Sequence, residues 1–177
     1  SENFYHKTCG GHLQPVLDTL VYLKRETRVW LEITTLLIPG LNDSEAEIHS
    51  AAAWIASELG PGVPWHFSAF HPDFRMRDIG PTPLATLTRA REIALGYGLH
   101  HVYTGNVHDP KGGSTWCHAC GARLIGRDGY VIGEWGLGEG GCCRACGARC
   151  EGVFEATPGS WGSRRMPVRL ADFADAS

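Results

Sequence analysis

Residues 29–38, VWLEITTLLI, form the segment that decides the fold, because an almost continuous run of apolar and β-branched residues ends there at Pro39-Gly40. Two threonines, Thr34 and Thr35, interrupt the run. A run of this kind is typical of a strand that is covered on both faces in a parallel sheet. We therefore predict a buried parallel strand at this point of the chain.

Helical patterns flank this strand on both sides. Apolar residues recur at helical spacing over residues 13–20, ahead of the strand. Behind it, Ser44 and Glu47 have the three-residue spacing of a capping box, and an apolar stripe follows them as far as Gly60. We predict one helix on each side of the strand.

The same alternation continues further along the chain. Residues 65–70 predict a second strand, Thr82-Pro83 begins a third helix, and residues 99–103 predict a third strand. The order α-β-α-β-α-β builds crossover units around parallel strands, either in a doubly wound sheet or in a barrel. The predicted fold class is therefore α/β.

Functional groups in such folds collect at the carboxyl ends of the strands. Here these ends are residues 39–43, 71–74 and 104–109, and the last two carry His71 with Asp73 and His108 with Asp109. Charged loop residues are most often merely solvated, so we assign no role to Asp73, His108 or Asp109.

Two near-identical octets, residues 117–124 (CHACGARL) and 143–150 (CRACGARC), lie behind the α/β part. Two residues between paired cysteines allow one tight turn to present both sulfurs, and the glycine that follows supplies a permissive backbone. The sequence therefore predicts a single metal site with four thiolate ligands. The predicted ligands are Cys117, Cys120, Cys143 and Cys146.

Two other cysteines compete for this site. Cys142 is adjacent to Cys143, but the octet repeat leaves it outside, and the same alignment places Cys150 opposite Leu124. Between the octets, Asp128-Gly129 has the composition of a hairpin turn, as in a zinc ribbon. We predict a structural metal ion, zinc or iron, and the alternative is that the four cysteines anchor an iron–sulfur cluster. His118 is expected to face solvent.

Bulk composition restricts the function further. The chain has a formal net charge of −3 and a pI near 6.3, so it lacks the positive field of a dedicated nucleic-acid-binding protein. No apolar run approaches the roughly 20 residues that span a bilayer. The chain has seven cysteines, which is an odd number, and four of them have metal-ligand spacing. This pattern favours a reducing cytoplasm over a disulfide scaffold. We expect a cytoplasmic protein with neither a membrane nor a nucleic acid as partner.

The sequence composition changes at Gly112-Gly113-Ser114, which we interpret as a short hinge, and we predict three units on this basis. Residues 1–109 form the α/β part, residues 110–155 the Cys₄ module, and residues 156–177 a C-terminal tail. The tail is expected to be irregular with one short strand near residues 167–170, and to pack over the module as a strap.

A family resemblance extends over nearly the whole chain. The segments that carry it are residues 4–7 (FYHK), 14–20 (QPVLDTL), 32–43 (EITTLLIPGLND), 66–74 (HFSAFHPDF) and 103–107 (YTGNV). Together with the double Cys-x-x-Cys module, they resemble the C-terminal part of the AmmeMemoRadiSam-system radical SAM enzymes. These are relatives of the glycyl-radical activating enzymes, such as that of pyruvate formate-lyase.

The resemblance implies that residues 1–109 form the C-terminal half of a partial radical SAM βα barrel. Such enzymes hold a [4Fe–4S] cluster and S-adenosylmethionine, which they cleave reductively to a 5′-deoxyadenosyl radical. It also implies an electron donor and a protein or small-molecule substrate that the sequence does not identify. By resemblance, Thr34 and His71 would contact the cofactor. The alternatives without cofactor contact are that Thr34 is a core threonine bonded to a neighbouring carbonyl and that His71 has a capping or turn role.

The chain departs from the family at the cluster loop, because no Cys-x-x-x-Cys-x-x-Cys occurs in its 177 residues. Cys142 and Cys146 have the first spacing, but three residues instead of two separate Cys146 from Cys150. We therefore expect a fragment that is inactive alone. The alternative is a stand-alone zinc-ribbon docking protein whose α/β part is a platform.

Overall fold

Two three-stranded sheets organise the chain, whose computed structural model describes residues 1–159, 162–165 and 167–169. In chain order the elements are α1 (Glu2–Phe4), α2 (Leu13–Glu26), β1 (Ile33–Leu37), α3 (Glu45–Trp54), β2 (Trp65–Ala69), α4 (Leu84–Gly96), β3 (Val102–Gly105), α5 (Pro110–Gly113), β4 (Thr115–Trp116), β5 (Arg123–Asp128) and β6 (Val131–Trp135). Single π-helical turns extend α1 over Tyr5–Cys9 and α3 over Ile55–Leu59, and a 3₁₀ turn covers Glu139–Gly141.

The first sheet is parallel, with the strand order β1-β2-β3. The predicted alternation of helices and strands is confirmed, since α2, α3 and α4 each precede one strand. The third strand begins later than the predicted residue 99. Leu99 is apolar because it is buried in the core, and it precedes the strand ladder.

Local sequence signals account for the ends of the helices. The Ser44 hydroxyl accepts a hydrogen bond from the Glu47 N–H at 3.3 Å, so the predicted cap of α3 is confirmed. Helix α4 begins directly after Pro83, whose fixed φ suits a helix start. The hydroxyl of Thr82, just before it, accepts from the Phe70 N–H at 2.9 Å and attaches this helix start to the end of β2.

The main core lies between one face of the parallel sheet and the helices. Side chains alternate between the two faces of a strand, and every second residue of β2 and β3 is buried. Helix α4 packs on both strands, and α3 packs on α4. The buried members are Leu37, Ile48, Ala52, Ile55, Leu59, Val63, Trp65, Phe67, Ala69, Leu87, Ala90, Ala94, Leu99 and Val102.

The prediction that β1 is covered on both faces is wrong. Its residues alternate between partly buried and exposed, and Thr34 and Leu36 are exposed. The physical reason is that β1 is an edge strand and that the helices pack on one face of the sheet. We call the opposite surface the open face; it consists of Glu32, Thr34, Leu36, His66, Ser68, Tyr103 and Gly105.

The second sheet is antiparallel, with the order β4-β5-β6. The predicted hairpin is confirmed, because Asp128 pairs with Val131 across Gly129 and Tyr130. Gly129 has a φ of 57°, which favours glycine. A small second core holds this part together, and its buried members are Cys117, Leu124, Ile125, Leu137, Cys143 and Cys150.

The stretch between the two sheets is not the hinge that was predicted. The Asp109 carboxylate accepts from the Gly112 N–H at 3.0 Å and caps the short helix α5. Gly112 is buried, and a side chain there would collide with Asp109 and with the Thr104 hydroxyl. The glycine is therefore required for close packing and not for flexibility.

The predicted bounds of the three units stay predictions. Of the tail, residues 160, 161, 166 and 170–177 lie outside the described residues, and so does the end of the short strand expected near residues 167–170. Residues 167–169 themselves have no regular structure. Among the described helices, none combines the length and the apolar character that a bilayer crossing requires.

Phe67 provides a test of the main core, since its side chain is completely buried and contacts Trp65 with ring centroids 4.2 Å apart. We expect Phe67→Ala to lower the free energy of unfolding by about 3–5 kcal/mol because it leaves a cavity. The measurement is urea unfolding followed by circular dichroism. Phe74→Ala is the matched control, since Phe74 is 76% exposed and its loss should cost less than about 0.5 kcal/mol. Similar losses in both variants would contradict the assigned core.

Candidate metal centre and the open sheet face

The structure brings the four predicted metal ligands together. The Sγ atoms of Cys117, Cys120, Cys143 and Cys146 all lie within 4.8 Å of one another. Cys117 Sγ is 3.6 Å from Cys146 Sγ, and Cys120 Sγ is 3.8 Å from Cys143 Sγ. A tetrahedral zinc ion with Zn–S bonds of about 2.3 Å separates its sulfurs by about 3.8 Å. The arrangement therefore has the dimensions of a Cys₄ site, and metal binding by these residues stays a prediction.

Both octets fold into the same turn. The N–H of Cys117 donates to the Ala122 carbonyl at 2.8 Å, and the N–H of Cys143 donates to the Ala148 carbonyl at the same distance. The glycines that follow the second cysteines, Gly121 and Gly147, have φ values of 72° and 78°. The sequence repeat is thus a repeat of geometry, as expected of two turns that each present a pair of sulfurs.

Burial differs within each pair. Cys117 and Cys143 are buried in the second core, whereas Cys120 and Cys146 are exposed. A bound ion would lie at the edge of this small core, with two ligands anchored in apolar surroundings. Metal binding and folding of such a small core are therefore coupled.

The electrostatics of the four thiols also favour a cation. Burial raises the pKa of Cys143, but backbone N–H groups of Cys146 and Ala145 and the neighbouring thiols outweigh it and lower the pKa to about 7. At Cys146 the N–H of Ala148 lowers the pKa, yet the other three thiols outweigh it and raise the pKa to about 12. Four thiols at this spacing cannot all be charged unless a positive ion neutralises them.

The remaining cysteines lie outside the four-sulfur group. Cys142 is half-buried and pairs with Arg149 as an isolated bridge. Cys150 is buried in the second core, where burial and the adjacent Glu151 raise its pKa to about 11. His118 is exposed, but its ring stacks on His100 with centroids 4.0 Å apart.

The two predicted cofactor residues lie apart from this centre. Thr34 is exposed in the middle of β1, in register with His66, so the alternative that it is a core threonine is wrong. Its neighbour Thr35 faces the core and accepts from Trp65 Nε1 at 2.9 Å. His71 is exposed, two residues after the end of β2. Cofactor contact by Thr34 and His71 stays a prediction.

A cleft of about 1110 Å³ separates part of the open face from the Cys₄ module. Glu32, His66 and Tyr103 line it from the sheet, and Arg127 and Glu151 line it from the other side. Neither Thr34 nor His71 belongs to its lining. Its volume is slightly above the range of about 300–1,000 Å³ that is usual for small-molecule sites.

Polar contacts connect the walls of this cleft. His66 Nε2 is 2.7 Å from a Glu32 oxygen, and the His66 ring stacks on Tyr103 with centroids 4.9 Å apart. The Tyr103 hydroxyl is 2.9 Å from Thr115 Oγ1, to which Arg127 donates at 2.7 Å. The guanidinium of Arg127 also lies over the Tyr103 ring at 5.6 Å. The chain therefore places an acid–base pair on the sheet wall of the cleft and a cation on the opposite wall.

The sequence reasoning missed these residues because it treated β1 as buried on both faces. The available signal was the alternation itself. Glu32, Thr34, His66 and Ser68 occupy every second position of segments that are otherwise apolar. The sequence around Glu151 has no comparable pattern, because the position of Glu151 depends on how the Cys₄ module packs against the α/β part.

Comparison with known proteins gives a curated relative and a similar solved structure. No family model matches the chain. An uncharacterized protein of Methanocaldococcus jannaschii is 42% identical over 125 residues, which are 71% of this chain and 37% of the relative. The chain thus matches little more than a third of that protein's length.

The similar structure is a domain of pyruvate-formate lyase-activating enzyme from Bacteroides vulgatus. The two chains superpose with a TM-score of 0.51 and are 18% identical over 60% of this chain and 62% of the other. At this identity the comparison shows a shared fold, which is an α/β fold with a parallel sheet.

The Cys₄ assignment predicts the effects of single cysteine substitutions. We expect Cys117→Ser and Cys146→Ser to reduce bound metal at this site from about one equivalent per chain to a small fraction and to unfold the second core, since a closed structural site needs all four ligands. Cys142→Ser is the matched control and should retain the metal. Elemental analysis and the NMR spectrum of residues 115–150 provide the measurement. Equal losses in all three variants would show that the ligand assignment is wrong.

The Glu32–His66 pair predicts a pH dependence of stability. The hydrogen bond from His66 lowers the pKa of Glu32 below 4.5, so the ionised carboxylate stabilises the fold above this value. We expect Glu32→Gln to be less stable than the wild type at pH 7, and the difference to shrink as the pH falls through the lowered pKa. Thermal unfolding between pH 3 and 7 tests this. Glu26→Gln, at an exposed position, is the control. A stability difference between Glu32→Gln and the wild type that does not change with pH, or the same pH profile in Glu26→Gln, would contradict the prediction.

Proposed function

We propose that this chain is the C-terminal portion of a radical SAM enzyme of the activating-enzyme type. In the whole protein, S-adenosylmethionine bound at a [4Fe–4S] cluster would be cleaved reductively to a 5′-deoxyadenosyl radical. The observation that carries the proposal is the parallel β1-β2-β3 sheet with helices on one face, whose fold is shared with a domain of pyruvate-formate lyase-activating enzyme.

The open face supports this proposal. All-parallel sheets occur almost always with both faces covered, or closed into a barrel whose interior is lined by alternate residues. Here the helices cover one face, while the other carries polar groups such as Thr34, His66 and Tyr103. Such a face suits the inside of a partial βα barrel whose remaining strands would continue from the free edge of β1.

The residues of this chain do not fit the iron–sulfur cluster itself. Four of the seven cysteines converge on the Cys₄ site, and the other three, Cys9, Cys142 and Cys150, form no further cysteine group in the described chain. The ligands of the radical cluster would therefore come from elsewhere in the longer protein. This chain would contribute the open face, which carries Thr34, and the segment after β2, which carries His71; these two residues are the proposed cofactor contacts.

The Cys₄ module has a separate, structural role in this proposal. Its ion, zinc or iron, would stabilise the small second core. Contacts of Thr115 with Tyr103 and of Glu151 with His101 connect this module with β3 and with the residues just before it. The module would thereby close one side of the cleft.

A second candidate function is a zinc-ribbon docking module with the α/β part as a platform. The observation in its favour is the tip of the β5–β6 hairpin, where Tyr130, Val131 and Ile132 are exposed. Apolar side chains clustered at an exposed tip are typical of interaction sites. An in-frame Cys-x-x-x-Cys-x-x-Cys encoded upstream of residue 1 would remove this candidate.

The proposal predicts the behaviour of the intact parent protein. Purified and reconstituted without oxygen, then reduced by a chemical electron donor that replaces the cellular one, it should convert S-adenosylmethionine to 5′-deoxyadenosine. The isolated 177 residues, treated identically, should form none because they lack the cluster ligands. Chromatography with mass spectrometry measures the product. A parent protein that contains a [4Fe–4S] cluster and forms no 5′-deoxyadenosine would overturn the proposal.

A further inference from the structure

A second group of metal-ligand side chains lies outside the Cys₄ site. His100 Nδ1 is 3.0 Å from one Glu151 oxygen, and His101 Nε2 is 2.9 Å from the other. The three ligand atoms lie within 4.8 Å of one another. Cys150 adds a fourth potential ligand, because its Sγ is 3.9 Å from His101 Nε2.

The backbone fixes these residues from two directions. The His100 N–H donates to the Pro61 carbonyl and the His101 carbonyl accepts from the Trp65 N–H, both at 2.9 Å. From the module, the Cys150 N–H donates to the Gly141 carbonyl at 3.0 Å and so positions Glu151. The group therefore forms between the α/β part and the Cys₄ module.

Gly62 makes room for the carboxylate of this group. A Cβ atom at Gly62 would lie 2.7 Å from Glu151 Cγ, which is closer than carbon atoms can approach. Because φ at this glycine is not in the left-handed region, close approach is the feature that favours glycine here.

The buried ring of His101 makes its polar contacts in the described chain through Nε2. The His101 side chain is 2% exposed, and its Nδ1 has no hydrogen-bond partner in the described chain. Nε2 is therefore the His101 atom that would coordinate an ion.

The distances suit a first-row divalent cation. Tetrahedral zinc with bonds of about 2.0–2.1 Å to nitrogen and about 2.3 Å to sulfur separates its ligand atoms by about 3.3–3.6 Å. The two contacts to Glu151 are 2.9 and 3.0 Å, so shifts of several tenths of an ångström would admit an ion to the two histidines and the carboxylate. Cys150 Sγ is 3.9 Å from His101 Nε2 but lies outside the group of atoms within 4.8 Å of one another, so it would have to move further than the other three ligands.

We propose that His100, His101 and Glu151, with Cys150 as the fourth ligand, bind one zinc ion or a similar divalent transition-metal ion. Two imidazoles and a carboxylate are a zinc-type donor set, and the ion would replace the proton of the Cys150 thiol, which passes to solvent. This inference does not rest on the proposed function.

A metal at this position would link two parts of the chain about 50 residues apart, namely residues 100–101 and residues 150–151. It would also lie close to the Cys₄ module, because His118, between two of the predicted Cys₄ ligands, stacks on His100. The cation would thus hold the module against the residues that precede β3. The same residues His101, Cys150 and Glu151 line the cleft, so occupancy of the site would also fix one of its walls.

The second site should bind more weakly than the Cys₄ site. A metal-ligating histidine usually donates its other N–H to an acceptor, and loss of this support typically costs 10- to 100-fold in affinity. His101 Nδ1 has no such acceptor in the described chain. A chelator of moderate strength should therefore remove the second ion and leave the first.

The test is a zinc titration of the full 177-residue chain, with elemental analysis after removal of unbound metal. We expect about two zinc equivalents per chain in the wild type and about one in Glu151→Gln and His101→Ala. The ion retained in these variants at the Cys₄ site shows that the module is still folded. His108→Ala, which replaces an exposed histidine, is the matched control and should keep both equivalents.

Cobalt substitution identifies the ligands independently. In the wild type, the absorption of a tetrathiolate centre should appear first, and a second component with mixed nitrogen, oxygen and sulfur ligands should follow at higher cobalt concentration. Glu151→Gln should lose the second component alone. One equivalent in the wild type, or two equivalents retained in both Glu151→Gln and His101→Ala, would overturn the proposal.

Discussion

The convergence of four cysteine sulfurs is the constraint on which the C-terminal part of the structure depends. Thiols within 4.8 Å of one another cannot all ionise without a cation, and the core that contains two of them has few buried side chains. The free energy of metal binding at these cysteines would therefore contribute directly to the folding of this core. Once the two turns are fixed, the β5–β6 hairpin, Cys150 and Glu151 have defined positions, and each of the last two reaches His101.

The module matters for function because it lies beside an incompletely covered sheet. Helices bury one face of β1-β2-β3, and they leave the open face uncovered in the described chain. Tyr103, Thr115 and Arg127 connect this face with β4 and β5 and border a cleft of about 1110 Å³. In the proposed enzyme this face would be completed by the rest of a barrel. The Glu32–His66 pair then places a proton donor and acceptor on the cleft wall.

Sequence patterns predicted those features whose cause is local. The helix starts at Ser44 and Pro83, the Asp128-Gly129 hairpin and the convergence of the two octets all follow from short-range signals. Features that depend on tertiary packing were not predicted. The apolar run at β1 led to the prediction of a central strand, whereas β1 is an edge strand. Gly112 was interpreted as a hinge, although close packing requires a glycine there. The contact of Glu151 with two histidines about 50 residues away has no local signature at all.

The central claim is that one metal ion on four cysteines holds the C-terminal module against the parallel sheet. A crystal structure of the zinc-loaded chain, with anomalous scattering measured at the zinc absorption edge, tests it most directly. The account predicts a strong anomalous peak about 2.3 Å from the sulfurs of Cys117, Cys120, Cys143 and Cys146, with Thr115 in contact with Tyr103. Disulfides between these cysteines, no peak among them, or a module detached from β3 would contradict it.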